Sequence, residues 1–344
     1  MRLGLVGYGT GGRYYHAPYI QAARGVELAG VVARSEARIA QIREELPGVP
    51  VYESLTALLD AGVDAVTITT PPETRRELAL EAIGRGVHVI ADKPVAPGAA
   101  AARELVAAAE DAGVLLSAFH NRRWDTDLAT LKEVLAGGEL GEIRRFDSAF
   151  NLDEPDTLEA GPTGGLLRDL GSHLVDQALH LFGPAESVTA YLDWVDLPEG
   201  RTDSGFFLNI VHRGGVHSHV SATKVNHLVS RELLALGSGG SYRSSQQDVQ
   251  AQAVLAGRRP ADDREGWGYE DPERWGVLST AAGTRRVPSA KGDYTDYYER
   301  FAAAVERGEA QPVPLIEAAD MLAVLDAARL SDAEGRTVRL SEQQ

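Results

Sequence analysis

Leu3-Gly4-Leu5-Val6-Gly7-Tyr8-Gly9-Thr10-Gly11-Gly12 sets a short apolar run directly before the spacing G-x-G-x-x-G, and a helical pattern follows over Gly12–Arg24. The spacing alone is a weak signal. Between a strand and a helix it marks the opening βαβ unit of a dinucleotide-binding sheet. Gly7 permits the tight turn, Gly9 lets the backbone approach a pyrophosphate, and Gly12 lets helix and strand pack closely. The helix start offers free N–H groups and a positive dipole end to the phosphates. Tyr8, Thr10 and Gly11 fill the same turn, so Gly7 to Gly12 are all candidate cofactor-binding residues. An ordinary glycine-rich turn is the alternative, and the strand-to-helix context argues against it.

The rhythm continues outward from this turn. Glu27–Ala33, Ala65–Thr69, Val87–Ala91 and Val114–Phe119 read as brief, nearly all-apolar strands, as a parallel sheet covered on both faces requires. Glu36–Leu46, Glu73–Arg85 and Ala99–Ala112 read as helices between them. The fold class expected is α/β, with a doubly wound Rossmann domain over residues 1–120. After residue 120 the pattern changes to a helix (Asp127–Ala136), a strand (Ile143–Phe150), a helix (Leu167–Phe182) and a series of turn-separated strands from Val188 to Tyr242. Residues 121–344 are therefore expected to form an α+β domain with an open, mainly antiparallel sheet. Asp293–Arg307 and Leu315–Asp332 read as closing helices, the last returning toward the first domain, and Arg258–Trp275 reads as a surface loop.

Composition narrows the function. A chain of 344 residues has room for two domains, and a formal charge of -16 makes nucleic acid and anionic membrane poor partners. There are no cysteines, which removes disulfides, thiolate metal sites and Cys nucleophiles, and suits a reducing cytoplasm. No apolar run approaches the length of a membrane span, and Met1–Gly7 does not read as a secretory leader. No His/carboxylate cluster has a metal-ligand pattern, so no metal is expected.

Candidate site residues follow from strand ends and helix faces. The second strand ends Val31-Val32-Ala33-Arg34-Ser35, without the acid that usually binds the ribose 2′-OH of NAD. Arg34 and Ser35, with Arg38 a turn later, are placed to hold a 2′-phosphate, so NADP is the expected cofactor and NAD a possible one. Asp92-Lys93-Pro94 follows the strand Val87–Ala91, at the end of the sheet where ligands bind. Lys93 is one of only four lysines, and an ammonium there can steady a developing alkoxide. Asp169, His173 and Asp176 fall at i, i+4 and i+7 of one helix. That spacing alone favours a hydrogen-bonded structural histidine over a proton acceptor.

With Gly7–Gly12, Asp92-Lys93-Pro94 and Asp169–His173 in this order, the chain resembles the glucose-fructose oxidoreductase / inositol dehydrogenase / MocA family of NAD(P)-dependent oxidoreductases, from Arg2 to Leu340. Tyr15-His16-Ala17-Pro18, Asn121-Arg122-Arg123-Trp124-Asp125-Thr126-Asp127 and Leu181-Phe182-Gly183-Pro184 look closest to its NADP-dependent scyllo-inositol dehydrogenase-like branch. The resemblance implies catalysis by Lys93, Asp169 and His173, with His173 taking the hydroxyl proton, Lys93 polarising the oxygen and Asp169 orienting the substrate. It implies cofactor contacts from Thr70, Pro71, Asp92, Lys93, Asn121 and Trp124, and substrate contacts from Lys93, Asn151, Asp169 and His173. It also implies a homodimer or homotetramer built through the open sheet.

Three departures stand out. Asp92 replaces the family's usual Glu. Thr70-Pro71-Pro72-Glu73-Thr74-Arg75 has Pro72 and Arg75 where Asn and His are common, leaving the nicotinamide-side contacts without their usual residues. Asn151-Leu152-Asp153-Glu154-Pro155-Asp156 is acidic where the branch often carries arginine, which favours an unphosphorylated polyol or sugar as substrate. A non-catalytic dinucleotide-binding sensor is the alternative function, and it has no need of Lys93, Asp169 and His173.

Overall fold

A computed structural model describes residues 1–161 and 164–343, and they form two compact units. The first unit comprises Met1–Asn121, Gln250–Trp267 and Asp293–Ala318. Its sheet contains β1 (Arg2–Val6), β2 (Glu27–Val32), β3 (Val51–Tyr52), β4 (Ala65–Ile68), β5 (His88–Ala91) and β6 (Leu116–Ala118) in the order β3-β2-β1-β4-β5-β6. All pairs are parallel, and Leu5 of β1 lies between Val31 and Thr67. This is the strand order of the doubly wound dinucleotide fold, whose chain reversal leaves a crevice at the carboxyl ends of β1 and β4. Leu3, Leu5, Val31, Val66, Ile68, Val89 and Ile90 are wholly buried, as strands covered on both faces require.

The helices are α1 (Ala17–Ala22), α2 (Glu36–Glu45), α3 (Leu55–Asp60), α4 (Pro72–Gly84) and α5 (Ala99–Ala112). The helix expected over Gly12–Arg24 is in fact a π-turn, Gly11–His16, followed by α1. Pro18 explains the change: it has no N–H to give to Tyr14, so the ladder ahead of it widens and α-helix restarts at Ala17. Two-residue β3 and six-residue α3, capped by the Ser54 hydroxyl, add to the elements read from sequence. A later helix, Thr295–Arg307, belongs here because Tyr297 anchors it to the edge strand. Its hydroxyl lies 2.7 Å from Ser117 Oγ and 2.9 Å from the Ala118 carbonyl.

The second unit comprises Arg122–Val249, Gly268–Gly292 and Ala319–Gln344. It contains α6 (Thr126–Ala136), β7 (Ile143–Asn151), α7 (Leu166–Asp169), α8 (Gly171–Phe182), β8 (Ala185–Leu197), β9 (Gly200–His212), β10 (His217–Thr223), β11 (Ser230–Gly237), β12 (Gly240–Ser244), β13 (Val277–Thr280), β14 (Gly283–Arg286) and β15 (Val338–Arg339). The sheet runs β14-β13-β12-β11-β7-β10-β9-β8-β15 and is antiparallel except at β7–β10. Phe146, Leu208 and Val220 turn to its buried face, where α7 and α8 pack, whereas Tyr191 and Phe207 are exposed on the other.

The helix expected over Leu167–Phe182 is divided at Leu170. Ser172 Oγ donates to the Asp169 carbonyl at 2.9 Å, and the His173 N–H turns instead to Leu170 O at 3.0 Å. A hydroxyl that takes a ladder carbonyl is a known way to interrupt a helix. The apolar spacing continues through the break, which hides it in the sequence.

Candidate active site

The glycine turn has a shape only glycine supplies. Gly7 has φ +104°, and a Cβ on Gly12 would lie 2.3 Å from the Gly7 carbonyl oxygen. A Cβ on Gly9 would meet nothing within 4 Å, so the backbone there is open to a ligand. Crowding behind and openness in front fit a dinucleotide pyrophosphate. Thr10 is exposed at the mouth of the turn. Tyr8 faces inward: its hydroxyl donates to Glu45 Oε2 at 3.0 Å, and burial followed by this bond pushes its pKa well up. Arg13 donates to both Glu45 oxygens. Gln41 donates to Glu45 Oε1 at 3.1 Å and accepts from Arg38 at 2.6 Å, so a polar chain links the glycine turn to α2.

Arg34 and Ser35 are exposed after β2. Ser35 Oγ accepts from the Arg38 N–H at 3.3 Å and caps α2. Beside them is an open hollow of about 540 Å³ lined by Arg34, Arg43, Tyr52 and Ser54, among others. Arg43 was not singled out in the sequence. It lies inside α2, nine residues past Arg34, and only the path of that helix brings both arginines to one hollow.

The Asp92-Lys93-Pro94 turn stands at the end of β5, with a cis bond between Lys93 and Pro94. Asp92 Oδ1 accepts from the Lys93 N–H at 2.8 Å. Its Oδ2 lies 3.5 Å from His16 Nε2 and 3.8 Å from Arg75 Nη2. Burial by itself would raise this carboxyl, but His16, Arg75 and Lys93 outweigh that and hold it at about 2. His16 is wholly buried, its Nδ1 2.6 Å from the Tyr298 hydroxyl and its ring against Phe119.

Arg75, conspicuous in the sequence only as a departure, clamps this region. It donates to the carbonyls of Thr70 at 2.7 Å, Asp92 at 2.9 Å and Pro94 at 2.8 Å. One buried side chain thus ties the loop carrying Thr70 and Pro71 to the turn carrying Lys93. A guanidinium has the donors to do this, whereas an imidazole, with two ring nitrogens, cannot make all three bonds.

In the second unit, Asp169 ends α7 and His173 lies in the first turn of α8, buried to 5% exposure. Lys224, just past β10, places Nζ 3.1 Å from Asp169 Oδ2. Asp169 and His173 are therefore one turn apart, but not on the uninterrupted helix expected. Asp176 has a different role: both its oxygens accept from Arg123, at 2.9 and 2.6 Å. Asn121–Trp124 forms a 3₁₀ turn in which Asn121 is buried and Trp124 half-buried. Asn151, at the end of β7, donates to Ser230 Oγ at 3.0 Å.

Comparison with known proteins shows the family. Residues 1–120 match GFO_IDH_MocA, an oxidoreductase family with an NAD-binding Rossmann fold, and residues 128–243 match the GFO/IDH/MocA C-terminal domain. The chain is 31% identical to scyllo-inositol 2-dehydrogenase (NADP(+)) IolW of Bacillus subtilis, covering 99% of this chain and 96% of the relative. The chain belongs to the Gfo/Idh/MocA oxidoreductase family. Another relative is D-xylose 1-dehydrogenase (NADP(+)) 2 of Haloferax volcanii, 27% identical over 99% of this chain and all of the relative. The solved oxidoreductase YvaA of Bacillus subtilis superposes with a TM-score of 0.89 at 31% identity, covering 98% of each chain. The protein is thus a Gfo/Idh/MocA oxidoreductase with an NAD(P)-binding Rossmann domain. Among the described residues, no helix is long and apolar enough to cross a membrane, and no group of three or more His, Cys, Asp or Glu is arranged to hold a metal ion.

Proposed function

We propose that this Gfo/Idh/MocA oxidoreductase is an NADP(H)-dependent dehydrogenase or reductase acting on a secondary alcohol or ketone of a cyclitol or sugar. The presence of Lys93, Asp169 and His173 together on a dinucleotide-binding chain carries the reading. Two relatives are named for NADP(+)-dependent oxidation of an inositol and of xylose, which supports this substrate class. The bare acid position after β2 and the Arg34–Arg43 hollow support the 2′-phosphate.

Bound NADP(H) supplies the hydride donor or acceptor. Gly7 to Gly12 hold its pyrophosphate, Arg34, Ser35, Arg38 and Arg43 its 2′-phosphate, and Thr70, Pro71, Asp92, Asn121 and Trp124 its nicotinamide half. Lys93 donates to the reacting substrate oxygen and stabilises negative charge on it. His173 accepts the hydroxyl proton in oxidation and returns it in reduction. Asp169 and Asn151 orient neighbouring hydroxyls. Asp153, Glu154 and Asp156 disfavour a phosphorylated substrate. Absorbance of the reduced nicotinamide, followed with scyllo-inositol, myo-inositol and D-xylose and either NADP⁺ or NAD⁺, tests the reading. Folded, NADPH-binding protein that turns over none of them would sink it.

We further infer that the exposed sheet face seats a second copy. Tyr191 on β8 is directly opposite Phe207 on β9, and they are 66% and 45% exposed. Aromatic rings paired on an open sheet mark an association surface. Phe207→Glu should lower the mass measured by light scattering; an unchanged mass would refute this.

A further inference from the structure

Lys224 is one of four lysines, and no role for it follows from the motifs. Its environment is unusual for that residue type. The residue is 6% exposed, although lysine is almost never buried unless paired. Its N–H donates to the Ser204 carbonyl and its carbonyl accepts from the Glu154 N–H, both at 3.1 Å. The backbone thus joins the end of β10 to β9 and to the acidic loop after β7. Its ammonium donates to Asp169 Oδ2 at 3.1 Å.

The two ends of this ion pair differ. The Lys224 side chain is 8% exposed and that of Asp169 is 42% exposed. A surface salt bridge has both ends in water, and a core pair has neither. Here the cation sits behind and the anion faces outward. A buried ammonium is strongly tied to its counter-charge because losing it leaves an uncompensated charge. The carboxylate is thereby held in one orientation, one turn before His173.

We infer that Lys224 is a positioning and specificity residue: it fixes Asp169 from behind, so that an oriented and charge-balanced carboxylate is presented to a substrate hydroxyl. The inference rests on the proposed reading of Asp169 as a substrate-binding group. It deepens that reading, because a neutralised carboxylate accepts from an uncharged polyol without placing a free negative charge beside it. An unpaired aspartate would select a cationic group. A lysine free of Asp169 would select a carboxylate or phosphate.

The test uses the full-length enzyme with NADP⁺ and whichever of scyllo-inositol, myo-inositol and D-xylose the wild type oxidises. Lys224→Met is expected to raise KM for that polyol by about tenfold or more, as loss of an oriented charged hydrogen bond implies. Its kcat should change much less, and NADPH affinity by fluorescence should be unchanged. Lys224→Arg, which keeps the charge, should recover most of the lost KM. An unchanged KM in Lys224→Met overturns the inference while leaving the proposed function intact. So does a parallel fall of kcat, NADPH affinity and melting temperature that Arg fails to rescue, since that pattern is loss of fold. A wild type that binds NADPH but oxidises none of the polyols removes the proposed function, and this inference with it.

Discussion

The accessible cations of the first unit and the buried ion pairs of the second handle charge in opposite ways. In the first, the cations proposed to meet a ligand stand at strand ends or on a helix face and remain accessible: Arg34 and Arg43 are exposed and Lys93 is half-buried. In the second, guanidinium groups are sunk among carboxylates. Arg123 lies on Asp176, Arg231 lies on Asp125 and Asp127, and every one of these residues is less than a tenth exposed. An accessible charge can exchange water for a ligand at little cost. A buried one cannot lose its partner without stranding the other. The first unit is built to take up and release a cofactor, and the second to hold α8, and so His173, in a fixed place. The run Asn121–Asp127, the most distinctive stretch of the sequence, belongs to the second kind. Arg122, Arg123, Asp125 and Asp127 are all paired within the unit.

The contrast is broken most directly by removing one charge of each type. Lys93→Ala should lower kcat by about 10²–10³-fold, the range for removing one donor to a developing oxyanion. Its thermal unfolding should match the wild type. If activity and stability fell together, Lys93 would belong with the buried charges and the contrast would fail.

Arg123→Met reverses the pattern. It removes the two-pronged guanidinium from buried Asp176 and should cost about 3–5 kcal/mol in urea unfolding, the usual penalty for breaking a buried pair from one side. Arg34→Asp should leave the urea midpoint alone. It should shift the NADPH-to-NADH affinity ratio by about 10–100-fold, measured by fluorescence titration. A stability loss in Arg34→Asp, or none in Arg123→Met, would erase the distinction.

The same contrast explains which features could be read from the sequence. The first sheet is legible because each strand is a short apolar run closed by glycine or a polar turn, and Lys93 and Arg34 follow from standing at strand ends. Val51–Tyr52 and Leu55–Asp60 escaped because two and six residues are too few for a period to show. In the second unit the apolar face of α8 is visible, but the division at Leu170 depends on one serine hydroxyl. Partners far apart in the chain are not legible at all. Lys224 is 55 residues from Asp169, and the path of β8 through β10 brings them together. Arg75 is visible only as a substitution for histidine, because its three carbonyl acceptors are assembled by the fold.

The smallest effect is the most discriminating, because two carboxyl groups, half-buried Asp92 in the first unit and buried Asp127 in the second, should answer acid in opposite directions. Asp92 would be raised by burial, but His16, Arg75 and Lys93 hold it at about 2, below the ordinary value of 3.8. Its stabilisation is therefore present above pH 3.8 and lost as pH falls through about 2. Asp127 is pushed up by burial and by Asp125, against the pull of Arg231, to about 6. Burial decides the direction, because Arg231, which also meets Asp125, lowers the value by less than burial raises it. Between pH 3.8 and about 6 the folded chain keeps a proton on Asp127 that the unfolded chain has released. That contribution is full below 3.8 and disappears as pH rises through about 6. Asp127→Asn, which mimics the protonated side chain, should therefore gain stability relative to wild type as pH rises from about 4 to 8. Asp92→Asn should be weaker than wild type near neutrality, and the gap should narrow toward about pH 2. Urea unfolding of both variants across this range gives differences of opposite slope if the two units hold their carboxylates as described. Parallel slopes would mean that Asp127 is kept ionised by Arg231 as firmly as Asp92 is by His16 and Arg75.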